Sequence, residues 1–303
     1  MNRLINQYIY LDYAAHTPAD KSVLDAFCKA ECTGNANSVH AAGREAKALV
    51  DEATNTIAQL LQVKPNEIIY TSGASESNNM AIKGFAKASR HIGKHIISTP
   101  LEHSSVSGTL TALQEQGYEI DLLNITASGK IDHQQLTELV RKDTVLVCIS
   151  AVDGELGVVQ PIADLVEILK NYPNCRLHID ATQAMGKIDF SFDGADSVSF
   201  APHKFFGICG SGVLWKKEGL VMEPLIHGGA STTLYRSGTP TVSLAVATAT
   251  ALKIALEKKD KQYQHVKQLN QYLREQFSAY PLVTINSPTP VSYTHLDVYK
   301  RQM

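Results

Sequence analysis

Short runs rich in β-branched residues alternate along most of this chain with longer stretches of helical period, and that alternation limits the fold more than any other feature. The predicted strands are 67–72 (EIIYTS), 95–100 (HIISTP), 118–124 (YEIDLLN), 144–151 (TVLVCISA), 176–181 (RLHIDA), 197–201 (SVSFA) and 212–215 (GVLW). Helical patterns fill 40–62, 75–92 and 161–172. Strand and helix in repeated succession predict an α/β fold, a mostly parallel seven-stranded sheet with helices on both faces. Sites in such folds gather at the carboxyl ends of the strands. Beyond the sheet, 240–280 is long, helical and increasingly charged, with a break expected near 258–261. It reads as a bridge into an incomplete small α+β domain. The expected division is a large domain over 16–257, and a partial small domain from 1–15 together with 258–290.

Composition narrows the function classes. A chain of 303 residues, 44% hydrophobic and 19% charged, can bury a full core. Its 28 Lys and Arg against 30 Asp and Glu give a net charge of -2, so no basic field points to nucleic acid or to an anionic membrane surface. No apolar stretch approaches the roughly 20 residues of a membrane span, and the start MNRLINQYIYLDYAAHTP lacks the apolar core of a signal peptide. A cytoplasmic location is expected. The five cysteines, Cys28, Cys32, Cys148, Cys175 and Cys209, contain no C-x-x-C pair, which predicts free thiols in a reducing compartment and no metal.

The strand ends carry the chemistry. After 67–72 the chain gives Gly73, Ala74, Ser75, Glu76, Ser77 and Asn78, small and polar residues that open a helix. Such an end offers unpaired N–H groups and hydroxyls to a phosphate, although Ser at a helix start also serves as a cap alone. Asp180 ends an apolar strand, where an unpaired carboxylate is costly to bury, so either a cation faces it or it caps the segment that begins near Thr182. Lys204 follows Pro202 and His203 and precedes Phe205 and Phe206. It is either a surface charge or an amine whose pKa is lowered for attack on a carbonyl. His103, after the strand at 95–100, can stack on a planar ring or move protons near neutral pH.

Together the four junctions supply what pyridoxal 5'-phosphate demands: a lysine for the Schiff base, an acid for the ring nitrogen and a helix end for the phosphate. The segments GNANSVH, TSGASESNN, LEHSSV, GELGVVQPI, HIDATQAMGK, HK, HGG and RSGT stand in this order. Over about the first 240 residues the chain resembles the cysteine desulfurase branch of the class V aminotransferase family, which has the type I pyridoxal-phosphate fold. The resemblance implies that Lys204 forms the Schiff base and takes the substrate Cα proton. It implies that His103 stacks over the ring and assists proton transfer, Asp180 pairs with the ring nitrogen, and Gln183 bonds the phenolic oxygen. Ala74, Ser75 and His203 would hold the phosphate, Asn35 would contact substrate, and Thr239 would reach a second subunit, so that a homodimer is expected. The activity implied converts L-cysteine to L-alanine and passes sulfur through an enzyme cysteine to an acceptor protein, as in iron–sulfur cluster assembly.

Three departures from the family pattern stand out. Asp153 and Gly154 occupy the place of an asparagine pair, and Ala201 with Pro202 replaces a segment that carries a phosphate-binding serine. Both predict weaker cofactor retention. The sulfur-accepting cysteine loop and the substrate-carboxylate arginine have no counterpart, and Cys209 follows Lys204 too closely to be that cysteine. The ending VSYTHLDVYKRQM (291–303) shows no continuity with the family and reads as a non-native tail on a C-terminally truncated chain. The alternatives are another class V activity, selenocysteine lyase or aminotransferase, and a catalytically incomplete fragment. A dinucleotide-binding dehydrogenase is disfavoured, since no G-x-G-x-x-G opens a helix after the first strand.

Overall fold

The computed structural model describes residues 9–31 and 34–285, so the ending at 291–303 lies outside the described residues. Seven strands form one sheet: β1 (Ile68–Thr71), β2 (His95–Ser98), β3 (Glu119–Leu122), β4 (Thr144–Ser150), β5 (Arg176–Asp180), β6 (Ser197–Phe200) and β7 (Gly212–Lys216). Their spatial order is β1-β7-β6-β5-β4-β2-β3. The run β6-β5-β4-β2-β3 is parallel throughout, and β7 is antiparallel to both its neighbours. Only the 11 residues 201–211 separate β6 from β7, too few for a parallel crossover, so the chain turns back on itself. Because β1 and β6 both oppose β7, the carboxyl ends of β1, β2, β4, β5 and β6 share one edge.

Helices cover both faces, as near-continuous apolar strands require. On one face α3 (Ala74–Ala88) and α4 (Ser104–Gln114) bury Met80, Phe85, Leu110 and Leu113 against Ile69, Ile96, Leu146 and Leu214. On the other, α1 (Lys21–Ala30), α2 (Ala41–Leu61), α5 (His133–Leu139), α6 (Ile162–Leu169) and α7 (Val242–Phe277) set Val23, Ile57, Leu136, Leu165 and Leu252 against Val147, Ile149, Ile179 and Val198. Each such side chain contributes ~1.5–3 kcal/mol by leaving water, so the interior strands are held from both sides.

The break expected at 258–261 does not occur: α7 is one helix of 36 residues. Its sequence holds no Gly or Pro, and Lys, Asp and Gln tolerate helix without a stop signal. The charge run marks where the helix leaves the core, its last buried residue being Ala255. There Lys258 pairs with Asp20 at 3.3 Å and Lys259 pairs with Asp189.

Candidate functional site

A cleft of about 710 Å³ opens along the shared carboxyl edge of the sheet. The turn after β1 brings Gly73, Ala74 and Ser75 to it, the turn after β2 brings Glu102 and His103, and the segment after β4 brings Asp153 and Gly154. The end of β5 supplies Asp180, Thr182 and Gln183, and the 3-10 turn Pro202–Lys204 after β6 supplies His203 and Lys204. Seven sequence-predicted site residues, Ala74, Ser75, His103, Asp180, Gln183, His203 and Lys204, therefore line one space. Asn35 and Thr239 do not. Asn35 is exposed before α2, its side chain accepting from Asn37 N at 2.9 Å. Thr239 is exposed three residues after Arg236, which pairs at 2.9 Å with Glu76 at the rim of the cleft.

The lysine sits in a laced turn. Lys204 Nζ donates to the carbonyls of Ala14 (2.7 Å) and Ala15 (2.9 Å). Thr17 donates from both N (2.9 Å) and Oγ1 (2.8 Å) to the His203 carbonyl, and Thr17 Oγ1 accepts from Phe206 N at 2.6 Å. Phe206 is held at φ 65°, a left-handed conformation that a bulky residue keeps only when its surroundings impose it. Burial lowers the Lys204 pKa, opposed by the carboxylates of Asp180 and Asp12. Lys204 is thus no ordinary surface charge.

Asp180, 6% exposed, accepts from Asn78 Nδ2 on Oδ2 (2.7 Å) and from Thr182 N on Oδ1 (2.9 Å). Its nearest donors are therefore an amide and a backbone N–H, the second matching the cap expected near Thr182. His103 is the N-cap of α4, its Nδ1 accepting from Ser105 N at 3.1 Å. Gln183 Nε2 donates to the Ala14 carbonyl at 3.0 Å. Burial pushes His203 down to about 4, reinforced by Lys204, His16 and Lys187, so its ring is neutral near pH 7.

Glu102 and Thr182 also face the cleft, and Asn78 lies behind it; none was singled out from the sequence. Glu102 accepts from Ser150 N (3.0 Å), Ser150 Oγ (2.6 Å) and Thr99 Oγ1 (2.9 Å), yet burial pushes its carboxyl up to about 7. Adjacency to His103 at a strand end was the available signal. Two buried polar atoms in the cleft wall, Thr182 Oγ1 and His203 Nδ1, have no hydrogen-bond partner among the described residues. Such orphans are rare unless another molecule satisfies them. Both belong to residues flanking the Lys204 and Asp180 side chains.

A family model described as Aminotransferase class-V matches residues 9–296. The chain is 39% identical over 286 residues to a protein of Dictyoglomus turgidum named cysteine desulfurase IscS, covering 92% of this chain and 72% of that one. It is likewise 39% identical to a NifS/IcsS protein homolog of Lactobacillus delbrueckii subsp. bulgaricus, covering 88% of this chain and 71% of the relative. Among solved structures, a NifS-like protein superposes with a TM-score of 0.90 at 34% identity, covering 93% of this chain and 79% of that chain. A structure titled SspA in complex with cysteine superposes with a TM-score of 0.77 at 36% identity, covering 81% and 72%.

Proposed function

The chain belongs to the class-V aminotransferase family, and from that premise we propose that it is a pyridoxal-phosphate-dependent cysteine desulfurase, converting L-cysteine to L-alanine. The observation that carries this is the meeting of Lys204, Asp180, His103 and Gln183 around a cleft whose wall holds the orphaned Thr182 Oγ1 and His203 Nδ1. Those orphans fit an anionic, ring-bearing guest, and so does the opening of α3 at Gly73, with Ala74 and Ser75 presented to the same space.

When bound, the cofactor supplies an aldehyde for an amine and a ring that draws electrons away from the substrate Cα. The chain's own groups do the rest. Lys204 Nζ, its pKa lowered by burial, provides the amine and then the base for the Cα proton. Asp180 Oδ2 and Oδ1, fixed by Asn78 and Thr182, keep an acceptor aimed into the cleft for a ring N–H. Gln183 stands ready to bond a phenolic oxygen, and Ala74, Ser75 and His203 hold the phosphate. A Cβ at Gly154 would lie 3.7 Å from Gln183 Nε2, so the side chain missing there leaves open space beside Gln183 and a weaker grip on the cofactor.

The remaining assignments rest on the resemblance. The working unit is a homodimer in which Thr239, exposed and outside its own cleft, serves the partner. Asn35 contacts substrate, 16–257 form the large domain, and 1–15 with 258–290 belong to the small one. Sulfur passes to an acceptor protein in the cytoplasm, a setting that suits the free thiols of Cys28, Cys148, Cys175 and Cys209.

One observation favours a second reading, a chain that binds the cofactor without completing sulfur transfer. None of the four described cysteines lines the cleft, and burial holds the Cys148 thiol well above its usual range and the Cys175 thiol up to about 12. Three measurements separate the readings. Adding pyridoxal phosphate should produce a visible absorption band that Lys204→Ala abolishes while its circular dichroism is unchanged. With dithiothreitol present as the two-electron reductant, L-cysteine should then yield alanine and sulfide. A band without alanine supports the second reading, pyruvate in place of alanine refutes desulfuration, and no band in either chain refutes both.

A further inference from the structure

Behind the cleft, a wholly buried side chain in the first turns of α3 joins two groups that face the cleft. Asn78 Nδ2 donates to Asp180 Oδ2 at 2.7 Å and to Ser105 Oγ at 2.9 Å. Its Oδ1 meets Ser199 Oγ and lies 3.0 Å from His178 Nε2. Asp180 settles which way the amide points. With Thr182 N donating to Oδ1 and Oδ2 only 2.7 Å from the Asn78 amide, the end of Asn78 that meets the carboxylate must be its NH₂, since two acceptor oxygens at that distance would repel.

Every proton in the chain of contacts then has a place. Asn78 Oδ1 is acceptor-only, so His178 Nε2 carries a hydrogen and its Nδ1 accepts from Ser197 Oγ at 2.8 Å. That ring is neutral, burial pushing His178 down to about 4. On the other side Ser105 Oγ receives a hydrogen from Asn78 and has its own to give. Its other neighbour is His103 Nδ1 at 2.9 Å, which also receives the Ser105 backbone N–H at 3.1 Å. Two donors converge on Nδ1, and the ring proton of neutral His103 must sit on Nε2.

We propose that Asn78 is a positioning residue that couples the Asp180 carboxylate to the tautomer of His103, so that His103 presents a proton at Nε2 for as long as Asp180 holds the Asn78 amide. This rests on the reading of Asp180 and His103 as the groups facing the cofactor, but the hydrogen-bond chain exists in the protein itself. It makes a specific demand on Asp180→Asn. Thr182 N–H keeps the new amide oxygen at the Oδ1 place, which puts NH₂ against the NH₂ of Asn78. The Asn78 amide must turn over, Ser105 Oγ then donates to Asn78, and His103 Nδ1 keeps the Ser105 backbone N–H alone.

The test is ¹⁵N NMR of the imidazole nitrogens in the purified chain, with the His103 signals assigned through His103→Gln. The parent chain should show His103 as the Nε2–H tautomer. Asp180→Asn, Asn78→Ala and Ser105→Ala should each lower the Nε2–H to Nδ1–H ratio by about fivefold, the change expected from one lost hydrogen bond. Ser105→Thr, which keeps the hydroxyl, should restore it. Should Asn78→Ala fail to fold, Asp180→Asn decides. A ratio unchanged in Asp180→Asn, or a parent chain with its proton on Nδ1, overturns the proposal. Failure of the desulfurase reading would appear in the alanine and absorbance measurements and leave these spectra untouched.

Discussion

Lys187 Nζ donates to Gln183 Oε1 across 2.6 Å, one turn along the chain, and so orients the amide whose Nε2 reaches Ala14 beside the Lys204 amine. Burial, with the Lys204 charge as the second cause, lowers the Lys187 pKa from 10.5 to about 7. Two amines whose pKa values burial lowers thus stand near one another, and Gln183 ties the second of them to the first.

The pH dependence follows from that shift. Between about 7 and 10.5 the unfolded chain binds the Lys187 proton while the folded chain has released it, so stability rises with pH across this window. Below about 7 both states are protonated and the folded chain carries the full penalty. Lys187→Met should flatten this limb and stabilise the chain by ~2 kcal/mol at pH 6.5 after allowance for partial exposure, read as a rise of a few degrees in Tm. It should also weaken pyridoxal phosphate binding, because Gln183 loses its fixed orientation. A limb that survives the substitution would assign it to another group.

Glu102 gives the opposite slope. Burial, with the Asp180 carboxylate as the last cause, raises its carboxyl from 4.5 to about 7 against the bonds from Ser150 and Thr99. Between these values the folded chain binds the proton that the unfolded chain has lost, so stability falls as pH rises, with the full cost present above about 7. Glu102→Gln keeps the shape without the charge and should raise stability at pH 8 by ~1–2 kcal/mol while changing little at pH 5. Thermal unfolding of both chains from pH 5 to 8 checks this, and parallel curves would contradict it.

The parts legible in the sequence were those written locally. An apolar run that stops at Gly73, His103, Asp180 or Lys204 carries both the strand and its functional end in adjacent letters, and all four residues line the cleft. The pairing of β7 was not local, since its direction depends on the length of the return from β6. Helix α4 escaped notice because SSVSGTLTALQ is rich in Ser, Thr and Gly, poor helix formers whose place is fixed by the His103 cap and by Val106, Leu110 and Leu113 in the core. In the sequence Asn78 is one letter of a polar helix start, and Glu102 has no mark beyond its place before His103. Their partners, Asp180 and Ser105 for one and Ser150 for the other, lie up to 102 residues away, and no spacing rule joins them.

The last prediction concerns the turn that opens α3 at the edge of the cleft. A Cβ on Gly212, at the start of β7, would lie 2.5 Å from Gly73 C, 2.6 Å from Gly73 Cα and 2.7 Å from Thr71 Oγ1. Gly73 is the N-cap of α3 and leads directly into Ala74 and Ser75, so the atoms that must give way are backbone at the edge of the cleft. Backbone cannot rotate aside as a long side chain can, and overpacking of this kind costs ~1–3 kcal/mol. Gly212→Ala should therefore lower Tm by several degrees and weaken pyridoxal phosphate binding about tenfold or more, a loss near 1.4 kcal/mol. Gly229→Ala is the control: a Cβ there meets nothing within 4 Å, and both measurements should be unchanged. Titration of the visible band in the two chains distinguishes displacement of this turn from a general loss of stability, because only displacement moves the binding midpoint at a temperature where both chains are folded.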